Sequence, residues 1–244
     1  MPRIARNIYE EGYRHVIVRG IGKQILFEDD NDYGLFLRLL ERYSRETSVD
    51  ICAYCLMENH VHLLLHDRST DTALFMKKVG VSYSAYYNRK YERTGHLFQD
   101  RYKCENITDD RGYLTVLRYI LRNPEKAGFC KTEKYQWSSF GSYGDKKSFL
   151  DQSLTWSLFE NMSSFRDYMV RDNADSCMES DGRMDDGRAR NVIKDKLGIS
   201  SGTVLQGYDK AKRNKALKEL KEIGLSIRQI ERLTGINRGV IQRV

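Results

Sequence analysis

The stretch VDICAYCLM-EN-HVHLLLH, residues 49 to 66, decides how the rest of the chain reads. Residues 49–57 and 60–66 are rich in apolar, β-branched and aromatic side chains and are separated by Glu58 and Asn59, which predicts two strands. In the second strand His60 and His62 stand two apart, so both imidazoles project from one face while Val61 packs behind them. Two imidazoles on one rigid element make half of a divalent-metal site. Two partly buried, hydrogen-bonded histidines with no metal would give the same string. His66 falls on the same face further along.

Working outward, residues 13–19 (YRHVIVR) alternate as a strand closed by Gly20. Residues 30–46 place Tyr33, Phe36, Leu37, Leu40 and Tyr43 at helical spacing, and residues 72–91 do the same with Leu74, Phe75, Val79, Tyr83 and Tyr86. Residues 95–107, with His96, read as extended, and residues 109–123 as a third helix with an acidic start. The order β-α-β-β-α-β followed by a helix predicts an α+β fold: a ferredoxin-like antiparallel sheet with helices on one face. That fold alone assigns no chemistry.

The third helix supplies what the histidines lack. Tyr119 and Asn123 are four apart and share a helical face, although Pro124 disfavours helical geometry at Asn123. A phenol beside a neutral oxygen ligand, presented to a two-histidine metal site, suits nucleophilic attack on a phosphodiester. The chain has 16 tyrosines, most of which must be ordinary core or surface aromatics; Tyr113 is the rival on the same helix.

The 244 residues are 40% hydrophobic and 31% charged, which allows a sizeable core and argues against wholesale disorder. No apolar run approaches the roughly 18 residues of a membrane span. Residues 1–8 lack the apolar core of a signal peptide, so a soluble, intracellular protein with no membrane partner is expected. Five scattered cysteines make no disulfide framework. Cys52 and Cys55 form a C-x-x-C pair, but strand positions three apart face opposite sides. Charge divides the chain. Residues 1–150 form the expected first domain, and residues 151–189, with 4 Lys/Arg against 9 Asp/Glu, read as an acidic flexible linker. Residues 190–244 hold 13 Lys/Arg against 5 Asp/Glu, an electrostatic footprint for nucleic acid; a solvated helical surface is the plainer alternative.

Within that tail, LSIRQIERLTGINRGVIQR (residues 225–243) carries Ser226 and Asn237 as helix caps and Gly235 as a turn residue. It reads as a helix-turn-helix, preceded by a basic helix over residues 211–223. Arg238, Gln242 and Arg243 are the residues placed to reach phosphates or base edges of duplex DNA. A small helical hairpin packing on the first domain is the alternative.

Three strings, MENHVHLLL (57–65), GHLFQDRYK (95–103) and YILRNPEKAG (119–128), resemble the diagnostic blocks of the HUH single-tyrosine transposases. The likeness is nearest to the REP-associated tyrosine transposases; WSSFGSY (137–143) resembles their next block, and coverage runs from about residue 5 to 145. Glu58 stands where the family usually has proline. The resemblance implies that His60 and His62 are metal ligands, with Asn123 as the amide-bearing third. It also implies that Tyr119 is the nucleophile that joins the 5′-phosphate of cleaved single-stranded DNA. Mg²⁺ or Mn²⁺ would be the cofactor, hairpin-forming palindromic repeats in single-stranded DNA the partner, and the bacterial cytoplasm and nucleoid the location. Gln99 and Arg101 match a block whose role is strand support or DNA contact. Family members include homodimers that exchange the tyrosine helix, and monomers. Two rival functions stay open: a non-catalytic regulator that binds hairpin DNA or RNA, and a metal hydrolase using the H-x-H pair.

Overall fold

A computed structural model of the chain describes residues 11–171, 186–199 and 201–244. The acidic stretch 172–185 with Cys177, and residues 1–10, lie outside the described residues. The chain divides into two units between Met178 and Glu179.

In the first unit the apolar stretches pair into one antiparallel sheet. Strands β1 (Gly12–Arg19), β2 (Val49–Met57), β3 (His60–Asp67) and β4 (Lys103–Ile107) lie in the order β2-β3-β1-β4. Ile17 is opposite His62 and Arg19 opposite His60. Alternation therefore puts His15, Ile17, His60, His62 and Leu64 on one face, and Val16, Val18, Val61, Leu63 and Leu65 on the other. Helices α1 (Asp30–Glu46) and α2 (Thr72–Lys90) pack on each other over the valine and leucine face. Helix α3 (Asp110–Leu121), capped by Asp109, covers the histidine face, where its Tyr113 ring meets Tyr13 edge-on. The α+β class and the element order are as expected. The one-face arrangement holds for α1 and α2. The third helix adds a layer on the opposite face, because His15, Ile17, His62 and Leu64 are themselves fully or nearly fully buried and need a cover.

Three expectations differ in detail. Of residues 95–107 only Lys103–Ile107 join the sheet; the segment before them is tied to the end of β1 by a Gly20–Phe98 bridge. A register shift between Ile51 and Ala53 makes Cys52 a bulge residue, which breaks the alternation assumed for the C-x-x-C pair. The Cys52 thiol lies against the Tyr113 hydroxyl of α3, and burial pushes its pKa well up, so it is a packed thiol and not a reactive one. Finally, the expected linker does not begin at residue 151. Helices α5 (Ser153–Leu158) and α6 (Met162–Val170) follow a short α4 (Asn123–Lys126), and Phe165 and Met169 of α6 are fully buried in the first unit's core. Charge counting hid the apolar points Trp156, Phe159, Phe165 and Met169, whose burial outweighs a few exposed carboxylates.

Asp67 pins α2 to the sheet. Its carboxylate accepts from the Thr72 hydroxyl and N–H, from the Asp71 and Ser69 N–H groups, and from Arg14 Nε at 3.1 Å. Both Arg14 and Asp67 are buried, and Arg14 also donates to Asn106. Burial pulls the Asp67 pKa upward, but the donors from Thr72, Asp71 and Ser69 override it and hold the group below the usual carboxylate range. A carboxyl with a depressed folded pKa adds stability above its unfolded value of about 3.9 and loses it as pH falls through the folded value. Asp67→Asn leaves the Arg14 charge buried and should cost about 3–5 kcal/mol by chemical denaturation at neutral pH, with a smaller deficit in acid. An unchanged denaturation midpoint would show that the pair is not a structural anchor.

The second unit has its own small core. Helices α7 (Asp186–Leu197), α8 (Lys210–Glu222), α9 (Ile227–Thr234) and α10 (Arg238–Gln242) enclose Ile193, Leu205, Leu217, Leu220, Ile230 and Ile241. Ser226 caps α9, and Asn237 caps α10. Gly235 ends α9 at φ 70°, a left-handed conformation that favours glycine there, and an added Cβ would also push the Gln206 side chain aside.

Candidate active site

The strand pairing assembles the site from three elements. His62 on β3 is fully buried, and its Nδ1 lies 3.2 Å from Nε2 of His15 on β1, also fully buried. His60, half-buried, places its Nδ1 2.7 Å from Asn59 Oδ1, and its ring stands edge-on to His62 with centroids 5.0 Å apart. Helix α3 lays Tyr119 across this group: its ring is 5.8 Å from His62 and 6.1 Å from His15, edge-on to both.

Asn123 arrives by an indirect route. Helix α3 stops at Leu121, Arg122 is the hinge at φ −86°, ψ 0°, and α4 begins at Asn123 with Pro124 in its first turn. The Lys126 N–H still donates to the Arg122 carbonyl, so the chain continues as a kinked helix. Asn123 is buried, and its Nδ2 lies 3.3 Å from Nε2 of His62. The kink also brings Lys126, an exposed residue, over Tyr119 with Nζ 4.8 Å from the ring centroid.

The structure thus gathers His60, His62, Tyr119 and Asn123. Gln99 and Arg101 are exposed, and the Gln99 N–H donates to the Arg19 carbonyl, at the end of β1 that pairs with His60. Arg238, Gln242 and Arg243 are exposed in the second unit, where Arg243 Nε donates to the Gly239 carbonyl. His96 is an exposed loop residue. Tyr113, the rival nucleophile, is buried and its hydroxyl hydrogen-bonds Thr155 Oγ1 at 2.8 Å; burial raises its pKa far above that of a free phenol. Sequence reasoning missed His15 and Lys126. His15 carried a signal in the lone imidazole directly before the apolar run Val16 to Val18, and Lys126 in its place three residues beyond Asn123.

His60, His62 and Asn123 bring two imidazoles and an amide close together, a mixed nitrogen and oxygen donor set that fits Mn²⁺ or Mg²⁺. A second group, Asp50, His66 and Asp151, has ligand atoms within 4.8 Å of one another. There the Arg68 guanidinium already binds both carboxylates, Asp50 at 2.5 Å and Asp151 at 3.3 Å, and His66 stacks on Tyr13. That cluster is a salt-bridge network tying residue 151 to the sheet edge.

The first unit is therefore an α+β domain with a buried histidine, tyrosine and asparagine group on one sheet face. Residues 8–123 match the family model described as transposase IS200 like. Among solved structures, a REP-associated tyrosine transposase bound to a REP hairpin is similar at 16% identity and TM-score 0.52, covering 58% of this chain and 84% of that one. A Deinococcus radiodurans R1 protein described as a candidate transposase is 16% identical at TM-score 0.35, over 49% of this chain and 95% of that one. No curated protein matches the chain. Among the described residues no helix is long and apolar enough to cross a membrane.

Proposed function

We propose that the chain is a metal-dependent single-stranded DNA transposase of the HUH single-tyrosine type, cleaving and rejoining DNA at or near hairpin repeats. The observation that carries this reading is the Tyr119 ring set against His62, whose Nε2 also meets Asn123. His60, His62 and Asn123 hold Mg²⁺ or Mn²⁺, which supplies Lewis-acid polarisation of a non-bridging phosphate oxygen when bound. The Tyr119 oxygen attacks phosphorus, a phosphotyrosine ester to the 5′ side forms, and the bond to O3′ breaks. The phenol loses its proton and O3′ gains one, leaving a free 3′-hydroxyl. Reversal by another 3′-hydroxyl joins strands without ATP, because the ester keeps the bond energy. Lys126, above the Tyr119 ring, places a positive charge where the scissile phosphate enters. Gln99 borders the His60 end of the site, and Gln99 and Arg101 contact the DNA strand or support it.

In the second unit α9 and α10, joined by Gly235, Ile236 and Asn237, act as a helix-turn-helix that binds duplex DNA through Arg238, Gln242 and Arg243. The functional division is residues 1–171 for chemistry and residues 190–244 for DNA affinity, within the bacterial cytoplasm and nucleoid.

Labelled hairpin DNA incubated with the protein and Mn²⁺ should give an adduct that survives denaturing electrophoresis. EDTA should abolish it, as should His60→Ala or His62→Ala in proteins that keep their circular dichroism. Adduct formation in EDTA would remove the metal from the mechanism.

A further inference from the structure

We propose that His15 and Asn59 are positioning residues that hold the two metal-facing histidines with both Nε2 lone pairs turned into the site. This rests on the metal reading above. It assigns a task to two residues outside the ligand set.

Hydrogen-bond bookkeeping carries the argument. At His60, Nδ1 lies 2.7 Å from Asn59 Oδ1. An amide oxygen only accepts, so the proton sits on Nδ1 of His60 and Nε2 keeps its lone pair. At His62 the same result comes from Asn123. Its Nε2 lies 3.3 Å from Nδ2 of Asn123, which only donates, so Nε2 is the acceptor there. The neutral ring then carries its proton on Nδ1, 3.2 Å from Nε2 of His15, and donates to it. His15 in turn must carry its own proton on Nδ1. The opposite tautomer of His62 would set an N–H against the Asn123 N–H.

A ligating histidine needs this tautomer, and proteins commonly fix it with an acceptor on the non-ligating nitrogen. Here an amide does so for one ligand and a second imidazole for the other. Burial supports a specific role for His15. It is fully buried on a strand that continues with the apolar Val16 to Val18, and leucine would fill the space without a polar group to satisfy. His15 also stands edge-on to Tyr119, so the residue that orients the ligand packs against the proposed nucleophile.

The test uses the full-length, metal-free protein with ¹⁵N-labelled histidine. Long-range ¹H–¹⁵N correlation spectra should show the Nδ1–H tautomer at His60 and His62; Nε2–H at His62 overturns the role of His15, and at His60 that of Asn59. Mn²⁺ titration followed by electron paramagnetic resonance, without DNA, supplies the second readout. His15→Leu and Asn59→Leu should weaken Mn²⁺ binding about 10–100-fold, and His15→Gln, which keeps an acceptor oxygen, should stay within about threefold of wild type. Leucine variants that fold and bind Mn²⁺ like wild type, while His62→Ala does not, overturn the positioning role and leave the metal site standing. A wild-type protein that binds no Mn²⁺ overturns both. Should a leucine variant fail to fold, the wild-type tautomers decide alone.

Discussion

Replacing Tyr119 with phenylalanine is expected to reduce covalent protein–DNA adduct to background while leaving the fold and DNA binding intact. The ring is 8% exposed and makes its edge-on contacts with His15 and His62 through carbon atoms that phenylalanine keeps. Only the oxygen that would bond to phosphorus is lost, so stability should change by less than about 1.5 kcal/mol. Tyr113 cannot take over: it is buried, its hydroxyl is bonded to Thr155, and six residues along the helix it faces Tyr13 and not the histidines. The measurement is a denaturing gel with labelled hairpin DNA, followed by mapping of the modified peptide. A Tyr119→Phe protein that still forms the adduct would show that another residue is the nucleophile.

The site was partly legible in sequence because its spacing is local. His60 and His62 are two apart on a strand, so shared projection follows from backbone geometry alone. Asn123 was harder: the four-residue spacing from Tyr119 suggested a common face, yet Pro124 argues against a regular helix there. In the structure the break falls at Arg122 and Asn123 still reaches His62, which depends on the kink and not on the ideal spacing. His15 was out of reach for a different reason. Its place beside His62 is set by the β1–β3 register, a pairing across 47 residues that no local pattern encodes. The helix order gave the α+β class, but not that α3 would lie on the opposite face from α1 and α2. That choice follows from which sheet face remains to be covered once the chain has passed β4. The far side of the first unit was misjudged because composition averages over a segment, whereas burial is decided residue by residue.

Cutting the chain after residue 171 should preserve cleavage, whereas cutting after residue 150, which also retains His60, His62, Tyr119 and Asn123, should abolish it. Residues 153–171 brace the tyrosine helix at three points along its length. Thr155 holds the Tyr113 hydroxyl, the Tyr168 ring lies 4.1 Å from the Arg118 guanidinium, and the Arg171 carbonyl accepts from Arg122 Nη1. Phe165, fully buried, fills the space between Tyr143, Phe140 and Trp156, with ring centroids 4.7–5.9 Å away. Phe165→Ala alone should cost about 3–5 kcal/mol, a large share of the roughly 5–15 kcal/mol that holds a domain folded. Losing all of α5 and α6 removes that contribution together with Met169 and leaves the hinge at Arg122 without its anchor. Calorimetry or chemical denaturation should therefore show the 1–150 protein unfolded or strongly destabilised. The 1–171 protein should melt like the first unit of the full chain and form adduct at the full-length rate at saturating DNA. It should differ in affinity. Residues 190–244 carry 13 Lys/Arg against 5 Asp/Glu, and each phosphate they neutralise steepens the salt dependence of log K by roughly 0.7 on single strands and 0.9 on duplex. Equal salt slopes for the full-length and 1–171 proteins would mean that the second unit does not touch DNA. A 1–150 protein with unchanged melting and full cleavage would mean that the brace does not hold the tyrosine helix.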